Sequence, residues 1–492
     1  MSLTRKLSLL LLIALSAELL APTLFVRAAS PSQPDLKAVD AFIQAQMKAN
    51  RLPGLAVAIV QGDRVIFAKG YGEAAPGKPI TPQTQFYLGS VTKSFTALAA
   101  LQLVEQGQLD LDAPVQQYLP WFEVADLQAA AQITVRHLLN HTSGLSESGD
   151  PNAAASTGSL EEQARLLKNV RPNAPAGTKF QYYNQNYRLV GLLIETVSGQ
   201  SYGDYLRENI FIPLGMAQTT TDPAAAPNLA QGYSRFFGFP LPQTQRFIPG
   251  ALPSGYLVST AEDLAQYLRA QLHNRRPDGK PLLNAATLAT LRTPPAGIES
   301  NYGMGWMVLE DGNTLVHGGA LENFQSFVAL GLKEELGLVV LYNQNSLENM
   351  LFENDTLTSG LLDLLNGKTP APTAFGWIGW LLLLLAAADL FNHLRLFRQL
   401  PRWTQKTASQ NRAWLWLKVL VGIFFPLAVL FGLPPLINAL EGGAPSWLEP
   451  LKLQPDLTLW LLTGLSLNLG SSLLHAFSLL REPKVGNRPR LA

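Results

Sequence analysis

Residues 87–104 read Tyr-Leu-Gly-Ser-Val-Thr-Lys-Ser-Phe-Thr-Ala-Leu-Ala-Ala-Leu-Gln-Leu-Val, and the fold turns on them. Phe95, Leu98, Leu101 and Val104 recur at helical spacing, and Gly107 is a natural stop. Ser90 and Lys93 stand at the start of that helix, one turn apart on one face, so the amine reaches the hydroxyl. A serine is a poor nucleophile until a base takes its proton. Lysine, with a reference pKa of about 10.4, becomes that base only if burial lowers it. The helix N-terminus favours negative charge developing beside Ser90. By itself the four-residue pattern is weak: a chain this long holds about one or two by chance. The competing reading is a capping serine beside a solvated lysine.

Upstream, Leu55–Val60 is rich in Val, Ile and Ala. Gln61-Gly62-Asp63 supplies a turn and Arg64–Ala68 returns, a β-hairpin signal. Downstream, Gly305–Glu310, Thr314–His317, Ser326–Leu330 and Gly337–Tyr342 are short strand-like runs with short connections, which favour antiparallel pairing. Between the two sets the pattern is helical. Thr134 caps a helix running to Asn140, and Thr260 with Asp263 forms a capping box before Leu264–Leu272. The fold class is therefore α/β: an antiparallel sheet, built from both ends of the domain and flanked by helices, with a helical region inserted.

Two more motifs carry chemistry. In Phe180-Gln-Tyr-Tyr-Asn-Gln-Asn-Tyr187, Tyr182 beside cationic groups would become a phenolate base, and Asn184 would hold a substrate amide and the lysine. In His317-Gly318-Gly319, at the end of a strand, the glycines let a substrate backbone approach, and the amide of Ala320 supplies half of an oxyanion hole. Read singly, these are packing tyrosines and a hairpin turn with a surface histidine.

The order S-x-x-K, Y-x-N, H-G-G resembles the serine β-lactamase and penicillin-binding-protein superfamily. It looks most like the class C β-lactamase branch and its carboxypeptidase and esterase relatives. The phrases Ile133-Thr-Val-Arg-His-Leu-Leu-Asn-His-Thr-Ser-Gly-Leu145 and Ser254-Gly-Tyr-Leu-Val-Ser-Thr-Ala-Glu-Asp-Leu264 are similar too. The resemblance covers roughly residues 35–366. It implies an acyl-enzyme on Ser90, proton traffic shared by Lys93 and Tyr182, and substrate held by Asn184, His317, Gly318 and Gly319. The amides of Ser90 and Ala320 would form the oxyanion hole. His317 stands where class C β-lactamases carry the lysine of K-T-G. With a reference pKa near 6.5 it would titrate near neutral pH, so use of anionic substrates would weaken as pH rises.

Other chemistries find little support. His137 and His141, four apart on one helix, lack the zincin glutamate and read as structural. Asp150, Asp204 and Asp222 form no glycosidase pair. The absence of cysteine excludes disulfides, thiolate metal sites and a cysteine nucleophile. No metal or other cofactor is called for, and the net charge of +1 gives no field suited to nucleic acid. The expected partners are a small-molecule or peptide substrate and a lipid bilayer. The alternative to an enzyme is a catalytically weak penicillin-binding-like sensor that signals through membrane spans.

Charged residues make up only 15% of the 492 residues, against about 25% in soluble domains. Residues 1–29 carry Arg5 and Lys6, then an apolar run, as a signal peptide or uncleaved anchor does. Residues 30–366 form the hydrolase domain and 367–373 a Pro-rich linker. Apolar stretches near Phe375–Phe391, Trp414–Ile437 and Leu457–Leu480 make residues 374–481 a three-helix membrane domain. A basic cytoplasmic tail, 482–492, follows. Arg395, Arg398, Arg402, Lys406 and Arg412 occupy the first loop, 392–413, whereas the second carries Glu441, Glu449 and Asp456. Basic loops stay in the cytoplasm, which puts the catalytic domain outside, in a multi-pass cell-membrane protein. Asp389 and His475 are read as lying near span ends.

Overall fold

The structure, a computed structural model, describes residues 34–150, 158–346, 356–370, 376–407, 410–441, 451 and 454–481. The signal segment 1–29, the Ala-rich stretch 153–155, linker residues 371–373 and the tail 482–492 lie outside the described residues.

Helix α1 (Leu36–Asn50) opens on Asp35, whose carboxylate accepts from the amides of Lys37 and Ala38, and closes on Arg51 in the left-handed region. Strands β1 (Gly54–Gln61), β2 (Arg64–Ala75) and β3 (Lys78–Pro79) follow. The other four strands come from the far end of the domain: β4 (Met307–Val308), β5 (Thr314–Leu321), β6 (Phe324–Gly331) and β7 (Leu336–Tyr342). They form one antiparallel sheet in the order β3-β2-β1-β7-β6-β5-β4. The sheet closes where β1 meets β7, with Leu55 opposite Tyr342 and Val57 opposite Val340.

Alternation along β1 explains why it is buried on both faces. Leu55, Val57 and Ile59 join Val39 and Ile43 of α1 and Leu361 of α6 (Ser359–Leu365) on one side. Ala56, Ala58 and Val60 join the larger core under the inserted helices. At its centre is α2 (Thr92–Glu105), buried from Thr92 to Leu101 and again at Leu103. Phe95 stacks on Tyr267 of α5 (Ala261–His273) at 4.0 Å.

Four local expectations change. The strand at Gly305–Glu310 contracts to β4, and His317-Gly318-Gly319 lies within β5 rather than at its end. Helix α3 (Val135–Leu139) has the full capping box, with the His137 ring accepting from the Thr134 amide. It stops before His141, whose φ of 56° takes it off the helix, so the two histidines share no helical face. Thr260 caps α5, but the Asp263 carboxylate turns away to accept from the Gln218 amide and the Thr219 hydroxyl, so only half a box forms.

Helices α7 (Trp377–Thr407), α8 (Arg412–Glu441) and α9 (Pro455–Arg481) are long and apolar enough to cross a membrane. The expected first loop is mostly helix: Arg395, Arg398, Arg402 and Lys406 continue α7 to Thr407, and α8 starts at Arg412. The 31 residues of α7 extend about 46 Å, longer than a hydrocarbon layer of about 30 Å. Asp389 is placed mid-span rather than near an end. Its carboxylate accepts from the Trp460 indole at 3.3 Å and lies 3.7 Å from His393.

Candidate active site

Leu88 donates its amide to Leu257 O, and the 3₁₀ turn Gly89–Val91 then leads into α2. Ser90 is half-buried on that turn and Lys93, one turn on, is fully buried. Lys93 Nζ lies 2.9 Å from Ser90 Oγ, 2.8 Å from Asn184 Oδ1 and 2.6 Å from Ser254 O. Two of these partners only accept. A neutral amine gives one hydrogen to each of them and turns its lone pair to the serine hydroxyl. Burial holds Lys93 well below the usual lysine range. The nearby Arg188 lowers it further and Glu147 opposes.

Asn184 is the first residue of α4 (Asn184–Ser198), and Tyr183 precedes it as the cap. Its Nδ2 donates to Glu147 Oε1 at 3.3 Å, which fixes the amide so that Oδ1 faces the lysine. Burial raises Glu147 above the usual carboxylate range. Tyr183 donates to Asp150 at 2.6 Å, and Arg188 reaches Ser254 Oγ and Gln163, so a buried polar network underlies the site.

The Tyr182 ring lies over Lys93 Nζ at 4.8 Å, with its hydroxyl on the Ser90 side. Burial pushes its phenol up rather than down. Desolvation of the hydroxyl, the larger effect, opposes the expected phenolate, while the residue as a whole stays 39% exposed. His141 sits under the ring at 4.4 Å, and its Nδ1 accepts from the Tyr183 amide, which fixes where Tyr182 points.

Strand β5 closes the other side. Gly89 has φ of 50°, and a Cβ there would stand 2.5 Å from Ala320 N. A Cβ at Gly319 would stand 2.0 Å from Leu88 O and 2.9 Å from Ser90 N. Only glycines let these backbones pack so closely, and that packing brings the amides of Ser90 and Ala320 together. Ser326 Oγ, donating to Leu88 O at 2.5 Å, pins the same turn to β6. A Cβ at Gly318 would meet nothing within 4 Å, so space is open there.

His317 departs from expectation. Its Nδ1–H donates to Gly318 O at 2.7 Å, and Nε2 accepts from the Tyr302 hydroxyl at 3.0 Å. Both ring nitrogens are thus committed to the protein. Burial, helped by Lys93, lowers its pKa to about 3. Burial and both hydrogen bonds favour the neutral ring, against the expected titration near neutral pH.

A stability effect follows from this pair of histidines. Burial also holds His141 well below the usual range. Unfolded, both protonate near pH 6.5; folded, they do not. Below that pH the unfolded chain binds more protons, so stability present above about 6.5 falls as pH drops toward the folded values. The midpoint of denaturant unfolding should decrease steadily between pH 7 and pH 5, and a midpoint that rises on acidification would contradict the burial of neutral imidazoles.

The structure brings Ser90, Lys93, Tyr182, Asn184, His317, Gly318, Gly319 and Ala320 to one place. His141, Glu147, Arg188, Ser254 and Tyr302 join them. His141 and Ser254 lie within the two supporting phrases of the sequence, whereas nothing in the sequence marked Glu147, Arg188 or Tyr302.

A serine beside a buried lysine at a helix start, a tyrosine ring over that lysine and a glycine-lined strand opposite thus meet at one site. The β-lactamase family model matches residues 39–360, and the chain belongs to that family. Among its relatives is "Protein flp" of Staphylococcus aureus (strain COL), 30% identical over 315 residues, a match spanning 63% of either chain. "Penicillin-binding protein 4" of Amycolatopsis lactamdurans is 31% identical over 275 residues, 53% of this chain and 72% of that one. Among solved structures, an octameric penicillin-binding protein homologue from Pyrococcus abyssi aligns with a TM-score of 0.58 at 29% identity, over 68% of this chain and 78% of its own. "EstCE1, a hydrolase with promiscuous acyltransferase activity" aligns with a TM-score of 0.58 at 26% identity, over 68% and 98%.

Proposed function

We propose that this chain is a membrane-anchored extracytoplasmic serine hydrolase that cleaves an ester, a peptide or a cell-wall-derived amide through an acyl-enzyme. The observation that carries the reading is the position of Lys93 Nζ, buried, 2.9 Å from Ser90 Oγ, with Asn184 and Ser254 as fixed acceptors. Ser90 Oγ attacks the substrate carbonyl carbon as its proton passes to Lys93. The carbonyl oxygen takes the negative charge and is met by the amides of Ser90 and Ala320. Tyr182, a neutral phenol, donates its proton to the leaving oxygen or nitrogen and is reprotonated from Lys93. Water, deprotonated along the same route, then releases the acyl group. Asn184 and the open backbone at Gly318 and Gly319 bind substrate.

His317 contributes packing and backbone order to this scheme, not a cation for a substrate carboxylate. Neutral esters or peptides should therefore be turned over faster than β-lactams, whose carboxylate loses a charge-assisted hydrogen bond. A matched neutral and anionic ester pair, assayed with the full chain in detergent, should give parallel profiles of kcat/KM between pH 5 and 8. Diverging profiles would restore a charge-reading role to His317. Absence of turnover across esters, D-amino-acid peptides and β-lactams would overturn the hydrolase reading.

The topology rests on charge. Arg395, Arg398, Arg402, Lys406 and Arg412 cluster around the α7–α8 connection. The Trp377 end of α7 and the Asp456 end of α9 lie against the catalytic domain. Reporter fusions after Arg398 and after Glu441 should report opposite sides of the membrane, the first cytoplasmic. An external 392–413 segment would reverse the assignment.

A further inference from the structure

The catalytic domain is packed against the domain-side ends of the apolar helices. The Phe237 amide donates to Asp456 Oδ2 at 2.7 Å, and Asp456 is buried at the start of α9. A Cβ at Gly379 would stand 2.4 Å from Gly238 N, and one at Gly376 would stand 2.3 Å from Ala49 O. Phe239 meets Trp380 edge-on at 5.4 Å, and the Arg51 guanidinium lies over both rings at 5.2 and 5.0 Å.

These contacts centre on a β-hairpin, Gly232–Phe236 paired with Phe239–Gln243, whose first strand also packs on α9. Phe239 and Leu241 on its second strand are 46% and 42% exposed. Trp380 lies in the first turn of α7, at the level where interfacial aromatics sit. An exposed Phe and Leu beside such a tryptophan are at headgroup depth.

The hairpin is tied to the active site. Asn323 donates to Gln243 O at 2.5 Å and Gln245 to Glu322 at 2.6 Å, holding it to the turn that follows Ala320. On the opposite wall, the turn Glu147–Gly149 packs against α8, and Glu147 accepts from Asn184. Two walls of the mouth thus rest on membrane-spanning helices, with Tyr182 39% exposed between them.

We propose that the mouth opens at the bilayer surface, with Phe239 and Leu241 seated in the headgroup layer. Its substrate is an amphiphile whose hydrocarbon chain stays in the membrane while its ester or amide head reaches Ser90. This rests on the acyl-transfer reading above. The ester or amide bond breaks, the acyl group passes to Ser90 and then to water, and the leaving group takes the proton from Tyr182.

The test uses the full chain in phosphatidylcholine–phosphatidylglycerol vesicles and two acetate esters of one fluorogenic phenol. One ester carries a hexadecyl tail and the other a short polar tail. The tailed ester should show about tenfold or higher kcat/KM, and Leu241→Asp should remove about tenfold of it, the worth of one apolar side chain leaving lipid. The polar ester should stay within about twofold by the same reckoning, and Phe239→Ser should give the same split. Equal turnover of the two esters, or variants that slow both alike, would overturn the proposal.

A second arm needs no turnover. The chain has no cysteine, so Leu241→Cys takes a single environment-sensitive fluorophore. Brominated lipid should quench it by about threefold or more while sparing the same label at Asp63→Cys, in the turn beyond the far end of β1, a strand about 26 Å long. An unquenched Leu241 label would overturn the seating whatever the esters do. A quenched label with neither ester cleaved would place the failure in the acyl-transfer reading instead.

Discussion

Ser90→Ala is expected to lower kcat by roughly 10⁴- to 10⁶-fold, the range seen when a nucleophile that works as a unit with its base is removed. The same change should leave the fold intact. Ser90 is half-buried on a turn held by other groups: the Ser326 hydroxyl on Leu88 O, the Leu88 amide on Leu257 O, and the glycine contacts across to β5. None of these uses the Ser90 hydroxyl. The thermal midpoint should therefore move by only about 2 °C, within the effect of a typical exposed substitution. A variant that keeps a tenth of wild-type activity would remove Ser90 from the chemistry.

Lys93→Met comes next in size, with an expected loss of roughly 10³- to 10⁴-fold in kcat/KM for a missing general base. Its volume is close to that of the lysine stem, so the change tests the amine rather than the packing. The pH dependence gives the more particular signature. Lys93 acts as base only when neutral, and its pKa is held low by burial and by Arg188. Wild-type kcat/KM should rise as pH increases through that lowered value and then level off. In Lys93→Met the rising limb should vanish. A variant that keeps the rising limb would assign it to another group.

The sheet and the central helix were readable because local signals agreed with the global fold. The apolar run of β1, the Gly62-Asp63 turn and the helical period after Ser90 each specify one structure. The motifs around Ser90, Tyr182 and His317 were readable only jointly, since each is weak and their meeting depends on contacts between distant parts of the chain, such as Lys93 with Asn184, 91 residues apart. What the sequence left open was environment. Desolvation raises Tyr182 and lowers His317, and neither effect is written in the residues themselves. Glu147 and Arg188 were missed because an isolated Glu and Arg ordinarily read as solvated charges. The charges of residues 392–413 suggest a loop, yet most of this stretch is helical. Lys, Arg and Gln are strong helix formers, and α7 runs on through them to Thr407.

The most direct measurement is the site of acylation. The full chain, solubilised in detergent, is treated with an activated-acyl probe, digested and mapped by mass spectrometry. One adduct is expected, on Ser90, absent in Ser90→Ala and slowed in Lys93→Met. An adduct on any other residue, or labelling that persists in Ser90→Ala, would contradict it.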